Sequence, residues 1–288
     1  AAGMTELELK RFAVDIRKKT IETIAALGVG HLGGALSIAD VLAVLYGREM
    51  RIDPADPKKD DRDLLVVSKG HAGPAVYATL ALKGYFPPEQ LKTLNRPGTN
   101  LPSHCDMNRT CGIDMTTGSL GQGSSSAVGI ACGNRLKGYE NDTYLILGDG
   151  EIEEGQVWEA AMFAAAKKLD HLIAFVDNNG CQIDGYVNDL CALGDIAGKF
   201  ASFGWYAQDV ADGNDVGQIV RAVENAKKQT ERPSVIVLHT VKGKGYSKIE
   251  GKLSSHNMTL DEQTAAEALR ELDAQARALT EEQEGPAQ

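Results

Sequence analysis

Between Gly121 and His239 one pattern recurs: a short apolar run of strand length, then a stretch of helix length with helical periodicity. The runs are Tyr144–Leu147, Leu172–Val176, Trp205–Val210 and Ser234–His239. Helices are predicted over about 122–137, 154–168, 193–202 and 215–229. Strands separated by helices of about ten to fifteen residues cannot pair as hairpins; they form βαβ crossovers and a mostly parallel sheet with helices on both faces. The predicted fold class is α/β.

Upstream, the box Thr5-x-x-Glu8 opens a helix that runs to about Leu27 and stops at the Gly28–Gly34 cluster. A second helix is expected from Ser37 to Arg48, a strand at Leu64–Val67 and a helix over about 71–83. Residues 95–117 lack periodicity, and a loop that long inside a domain is commonly functional. At the other end, Thr259-x-x-Glu262 reads as another capping box, followed by a stripe of Leu269, Leu272, Ala276 and Leu279. Residues 1–288 are read as one α/β domain with helical decoration at both ends.

Composition narrows the function classes. No apolar run reaches about 18 residues, so no membrane partner is expected. The formal charge of −10 argues against nucleic acid as the main partner. Five cysteines without a C-x-x-C pair fit neither a disulfide framework nor structural zinc. With no charged-then-apolar leader, the expected location is cytoplasmic. Gly28-Val-Gly-His-Leu-Gly33 matches a dinucleotide-binding pattern, but a helix precedes it, so the required strand-turn-helix context fails.

In open parallel sheets ligands bind beyond the carboxyl ends of strands. Two such ends stand out. Gly148-Asp149-Gly150 follows the run Tyr144–Leu147, and Asp177-Asn178-Asn179 follows Leu172–Val176. Thirty positions separate Asp149 from Asn179, about one βαβ crossover. On adjacent strands the two loops would emerge about 5 Å apart. A carboxylate, an amide oxygen and backbone carbonyls would then meet, a hard-oxygen set suited to Mg²⁺ or Ca²⁺ and poor for zinc. Gly150 and the helix start behind it would offer N–H groups and a positive dipole to an anion. Each loop alone reads equally as an ordinary turn. On spacing alone, the pair stays open between two turns and a metal-bridged phosphate site.

The surrounding motifs are more specific. Gly30-His-Leu-Gly-Gly-Ala-Leu-Ser37, Ser68-Lys-Gly-His71, Thr117-Gly-Ser-Leu-Gly-Gln-Gly123, Gly148-Asp-Gly-Glu-Ile-Glu-Glu-Gly155 and Ile183-Asp-Gly185 occur in that order. Together with the Gly-Asp-Gly and Asn-Asn pair, a thiamine-diphosphate motif, they resemble the transketolase family over most of the chain. The resemblance covers only the first part of a full-length transketolase, the diphosphate-binding domain. It implies an N-terminal subunit of a split enzyme, with the pyrimidine-binding and C-terminal domains on a separate polypeptide.

By that resemblance, Asp149, the Asn179 side chain and the Cys181 carbonyl ligate Mg²⁺ or Ca²⁺, and Gly150 meets the diphosphate of thiamine diphosphate. Gly118 and Leu120 lie against the aminopyrimidine and Ile183 against the thiazolium. Glu154 links paired cofactor sites, and Lys242 neutralises part of the diphosphate charge. His31, His71, His104 and His256 line the substrate channel, with His71 and His256 also against the cofactor. His31 and His256 would polarise the substrate and shuttle protons. Ser103-His-Cys-Asp106 departs from the family's usual Gly-His-Pro-Glu, which leaves the role of His104 open. Read singly, each histidine is equally a structural or exposed residue, and Lys242 a solvated basic turn.

The implied function is transfer of a two-carbon ketol unit from a ketose phosphate to an aldose phosphate, with a partner subunit, in an α₂β₂ assembly that includes homodimerisation. The lone chain is expected to be inactive. Other readings are a component of a deoxyxylulose-phosphate synthase-like or ketoacid decarboxylase-like enzyme, a transketolase for sulfonated or branched sugars, or a non-catalytic binding homologue.

Overall fold

In the computed structural model, which describes residues 3–284, the Thr5 hydroxyl accepts the Glu8 N–H and the Glu8 carboxylate accepts the Thr5 N–H at 2.7 Å. Residues 1, 2 and 285–288 of the expected domain lie outside the described span. This capping box launches α1 (Glu6–Leu27), which ends where Gly28 takes φ 92°, a left-handed conformation that costs glycine little. After a separate short turn at Gly33–Leu36, the helix expected over 37–48 begins at Ala39: α2 (Ala39–Val44) continues into a π turn at Leu45–Glu49. Gly47, in that turn, lies so close to α1 that a Cβ would stand 2.7 Å from Leu9.

Then follow β1 (Leu64–Val67), α3 (Gly73–Leu82), α4 (Gln122–Leu136), β2 (Thr143–Gly148), α5 (Gly155–Ala166) and β3 (Leu172–Asn178). The chain continues through α6 (Ile196–Ser202), β4 (Tyr206–Val210), α7 (Val216–Lys227), β5 (Ser234–His239) and α8 (Glu262–Glu284). The five strands form one all-parallel sheet in the order β1-β2-β3-β5-β4. Each central strand serves two cores because alternate side chains leave opposite faces. Tyr144, Ile146, Ile173, Phe175, Ile236 and Leu238 join the core beneath α1, α2, α3 and α7. Leu145, Leu147, Ala174, Val176, Val235 and Val237 join the core beneath α4, α5 and α6. That double burial makes the strands read as continuous apolar runs.

Register fixes where the strand ends come out. Gly148 stands opposite Asp177, and Asp177 opposite Leu238, so the loops after β2, β3 and β5 share one edge. Residues 95–117 contain no helix or strand; Thr117 ties the end of the segment to the sheet by donating its hydroxyl to the Val67 carbonyl at 2.6 Å. The second predicted capping box is displaced. Thr259 pairs with Val29 in a two-residue antiparallel ribbon, and Asp261 caps α8 by accepting the Thr264 N–H at 2.7 Å. Short antiparallel pairing had claimed the Thr259 backbone before the helix began. The apolar stripe of α8 packs on α1, with Leu272 fully buried. Among the described residues no helix is long and apolar enough to cross a membrane.

Candidate functional site

The shared strand edge is the floor of a cavity of about 600 Å³. At its base the Asp149 carboxylate accepts the Gly150 N–H at 2.8 Å and the Gly180 N–H at 2.5 Å. The two loops singled out by spacing are thus bonded to each other. Asn179 Oδ1 accepts the Cys181 N–H at 3.0 Å, and its Nδ2 donates to Asp177 at 3.1 Å. Burial first, and the nearby Asp177 charge second, push the Asp149 carboxyl up to about 6.

Beneath this pair lies a fully buried hub. Asp177 Oδ2 accepts from Lys69 Nζ at 2.5 Å and from Ser37 Oγ at 2.7 Å, and Oδ1 accepts from the Thr240 hydroxyl. Burial alone would raise the Asp177 pKa; the Lys69 charge, with the hydroxyl donors, outweighs it and holds the carboxyl below its ordinary value. Lys69 also donates to the Gly34 carbonyl at 2.8 Å. A second buried carboxylate, Glu151, gathers the ends of three elements. It accepts from Ser68 Oγ after β1, from the Gly148 N–H at the end of β2 (2.9 Å) and from the Gly121 N–H at the start of α4 (2.9 Å). Gly121 holds φ 84° to point that N–H inward. Gly123 is needed for space: a Cβ there would stand 2.5 Å from Ser68 Oγ.

The opposite wall is imidazole. The His31 ring centroid lies 5.4 Å from His71, 5.6 Å from His104 and 5.3 Å from His256, and His71 lies 5.0 Å from His256. Buried Lys242 donates to His256 Nδ1 at 3.1 Å and to the Cys181 carbonyl at 3.5 Å. An ammonium cannot accept, so neutral His256 carries its proton on Nε2. Burial, then the Lys242 charge, pull His256 down to about 4. Burial with neighbouring cations also depresses His31 and, more strongly, His71. Burial lowers Lys242 as well, although Asp149 and Asp177 pull in the other direction.

All the candidate site residues read from the sequence line this one cavity. Asp149, Gly150, Asn179 and Cys181 lie at the base, and His31, His71, His104, His256 and Lys242 on the walls. Gly118, Leu120, Glu154 and Ile183 form the rim. His104 is exposed, carried in by the long loop; a Cβ on Gly118 would come within 3.2 Å of its ring. Ile183 is 67% exposed at the tip of a ribbon pairing Cys181–Gln182 with Gly185–Tyr186. Sequence reasoning passed over Lys69, Asp177, Ser37, Thr240 and Glu151 as chemical groups. Lys69 stands inside the Ser68–His71 motif just after β1 and Asp177 lies at the carboxyl end of β3, so the signal was position at a strand end rather than residue type.

The residues fit a hard divalent cation and an anion. Among the described residues no three His, Cys, Asp or Glu side chains gather as a metal site. The donors are instead one carboxylate, one amide oxygen and one backbone carbonyl, all oxygen, as magnesium or calcium prefers. Lys242 is a buried ammonium bonded only to neutral groups, which leaves its charge for an anionic ligand.

Comparison with known proteins identifies the family. Residues 9–278 match the family model of the transketolase thiamine diphosphate binding domain. The chain is 58% identical to a 6-deoxy-6-sulfo-D-fructose transketolase subunit of Clostridium sp. (strain MSTE9), over 93% of this chain and 97% of that one. It is 35% identical to an apulose-4-phosphate transketolase subunit of Phocaeicola vulgatus, over 93% and 95% respectively. Transketolase 1 of Escherichia coli is 34% identical over 87% of this chain but only 39% of its own. The solved transketolase from Leishmania mexicana superposes with a TM-score of 0.86 at 28% identity, over 96% of this chain and 45% of that one. The chain thus spans under half the length of the solved transketolases it resembles, and nearly all of the subunits. A five-stranded parallel sheet with its strand-end cavity, matched along nearly its whole length by transketolase subunits, makes this chain a member of the transketolase family, comprising its N-terminal thiamine diphosphate-binding domain.

Proposed function

We propose that this chain is the diphosphate-binding half of a two-subunit transketolase that uses a divalent cation and draws its ketol unit from 6-deoxy-6-sulfo-D-fructose. The observation that carries the reading is the meeting of Asp149 and Asn179, across the Gly180–Asp149 hydrogen bond, in the cavity that also holds Lys242 and four histidines. Asp149, Asn179 and the Cys181 carbonyl would hold Mg²⁺ or Ca²⁺. Gly150 and Lys242 would bind the diphosphate, with His71 and His256 beside it. Gly118, Leu120 and Ile183 would fix the rings, and Glu154 would relate paired sites.

Thiamine diphosphate, when bound, supplies the carbon nucleophile that attacks the ketose carbonyl. The protein's share is binding and proton management. His31, neutral at pH 7 because of burial, can accept the ketose hydroxyl proton as the C2–C3 bond breaks and return it when the aldose is joined, while His256, with its proton on Nε2, can polarise the ketose oxygen by donating to it. His71 and His104 would orient sugar hydroxyls.

A partner is needed on this reading because subunit-length relatives exist beside transketolases more than twice as long. The partner would carry the pyrimidine-binding and C-terminal domains, in an α₂β₂ assembly. The sulfosugar donor rests on the substrate named for the 58% identical relative. Ketol transfer is to be assayed with this chain alone, with only a candidate C-terminal partner, and with both. Activity only in the mixture, with 6-deoxy-6-sulfo-D-fructose preferred over fructose 6-phosphate and apulose 4-phosphate, is the expected result. Full activity of the lone chain would overturn the half-site reading; preference for another ketose would overturn the donor.

A further inference from the structure

We propose that Asn214, which lies outside the cavity, is a positioning residue that clamps two walls of the cofactor pocket together. The inference rests on the reading of that pocket as the thiamine diphosphate site. Asn214 sits between β4 and α7, on a loop that is itself fixed. The Gly213 N–H donates to the His239 carbonyl at 2.8 Å, Asp212 accepts the Asn214 N–H at 3.0 Å, and Asp215 caps α7.

The side-chain amide spends its hydrogen-bonding capacity across two other segments. Oδ1 accepts the Val241 N–H at 2.9 Å, and Nδ2 donates to the Ser37 carbonyl at 3.2 Å and to Asp40 Oδ2 at 2.8 Å. Val241 lies between Thr240, which donates to Asp177, and Lys242, which lines the cavity. Ser37 also donates to Asp177. This amide, together with the Gly243 N–H on the Gly33 carbonyl at 2.9 Å, ties the two segments that grip the buried hub.

The orientation of that amide is determined. The Asp40 carboxylate can only accept, so Nδ2 must face it and Oδ1 is left for Val241. Asp40 is held in turn by buried Arg17, at 3.1 Å and 2.5 Å, and Arg17 also donates to the Leu36 carbonyl at 3.1 Å. A groove of about 460 Å³ lies behind this relay, lined by Arg17, Asp40, Asn214 and Leu279. The relay is therefore open on that side, and its hydrogen bonds rather than close packing hold the Asn214 amide there. Movement of a binding group by about 1 Å costs on the order of 10²-fold in function, so the clamp matters to Lys242 although it touches no ligand.

The test uses the full chain and two readouts. Amide hydrogen exchange at Val241 is expected to speed at least tenfold in Asn214→Ala and in Asn214→Asp, which sets two carboxylates face to face. Calorimetric affinity for thiamine diphosphate with Mg²⁺ is expected to fall about tenfold or more in both. Should Asn214→Ala fail to fold, Asn214→Asp, which keeps an acceptor for Val241 but loses both donors to the Ser37 segment, decides on the same two readouts. Unchanged exchange or unchanged affinity overturns the clamp. Asp149→Ala separates the underlying reading: it should lose affinity with Val241 exchange intact, and retained affinity there condemns the pocket assignment rather than the clamp.

Discussion

The Asp149 carboxylate and the Gly180 backbone N–H, 31 residues apart in sequence, meet at 2.5 Å. That contact joins the loop after β2 to the loop after β3 and presents a buried carboxylate where an ammonium, an amide and a carbonyl converge. Its cost and its use can be separated experimentally.

Asp149→Asn removes a charge that burial disfavours but sets an amide hydrogen against one of two backbone N–H groups. The relief of burial and the loss of one hydrogen bond, about 1 kcal/mol, act in opposite directions. Thermal melting of the cofactor-free protein should therefore move by only a few degrees. On the proposed reading of Asp149 as a metal ligand, affinity for thiamine diphosphate with Mg²⁺, measured by calorimetry, should fall at least about 100-fold.

Glu151 is a structural carboxylate despite lining the cavity. Glu151→Ala leaves the Gly148 and Gly121 N–H groups and the Ser68 hydroxyl without their acceptor in a dry site. A loss of about 3 kcal/mol or more is expected in urea unfolding. Glu151→Gln, which keeps one acceptor oxygen, should lose about half as much.

The Lys69–Asp177 ion pair should behave as a buried pair does when one member is removed. Lys69→Met strands the Asp177 carboxylate with only the Ser37, Thr240 and Asn179 donors. Destabilisation of about 3–5 kcal/mol is expected from denaturant curves. A loss under about 1 kcal/mol would show that those three donors suffice.

His256 supplies a pH signature. Its pKa is near 4 when folded and near the ordinary value of 6.5 when unfolded, so between those limits the unfolded chain binds the extra proton. Stability then rises with pH across that window; the contribution is complete above about 6.5 and lost as pH falls toward 4. Asp149, raised to about 6, contributes the opposite slope below that pH, so the informative quantity is the difference between wild type and His256→Gln. Melting temperature of the metal-free variant should fall less steeply on acidification from pH 7 to pH 4.5. Parallel curves would refute the buried, neutral assignment.

Much of the fold was legible because strand and helix periodicity is a local property. The runs around Ile146, Phe175 and Ile236 are apolar on both faces, as a strand between two helix layers must be, and their spacing implied parallel crossovers. The Thr259 box was misread because the local helix signal there was overridden by a contact from a distant segment, Val29 pairing with Thr259.

By itself the sequence determined the layered α/β architecture, the two strand-end loops and the motifs that resemble transketolase, since each is written within a few neighbouring residues. Only the tertiary structure decided that His31, His71, His104 and His256 form one wall, that Lys69 neutralises Asp177, that Glu151 is an internal latch and that Asn214 bridges two site segments. The physical reason is that burying a charge or an amide is tolerable only beside a partner, and those partners come from loops far apart in sequence. Periodicity records which face of an element is apolar; which polar groups meet behind it is fixed by the strand order and register of the assembled sheet.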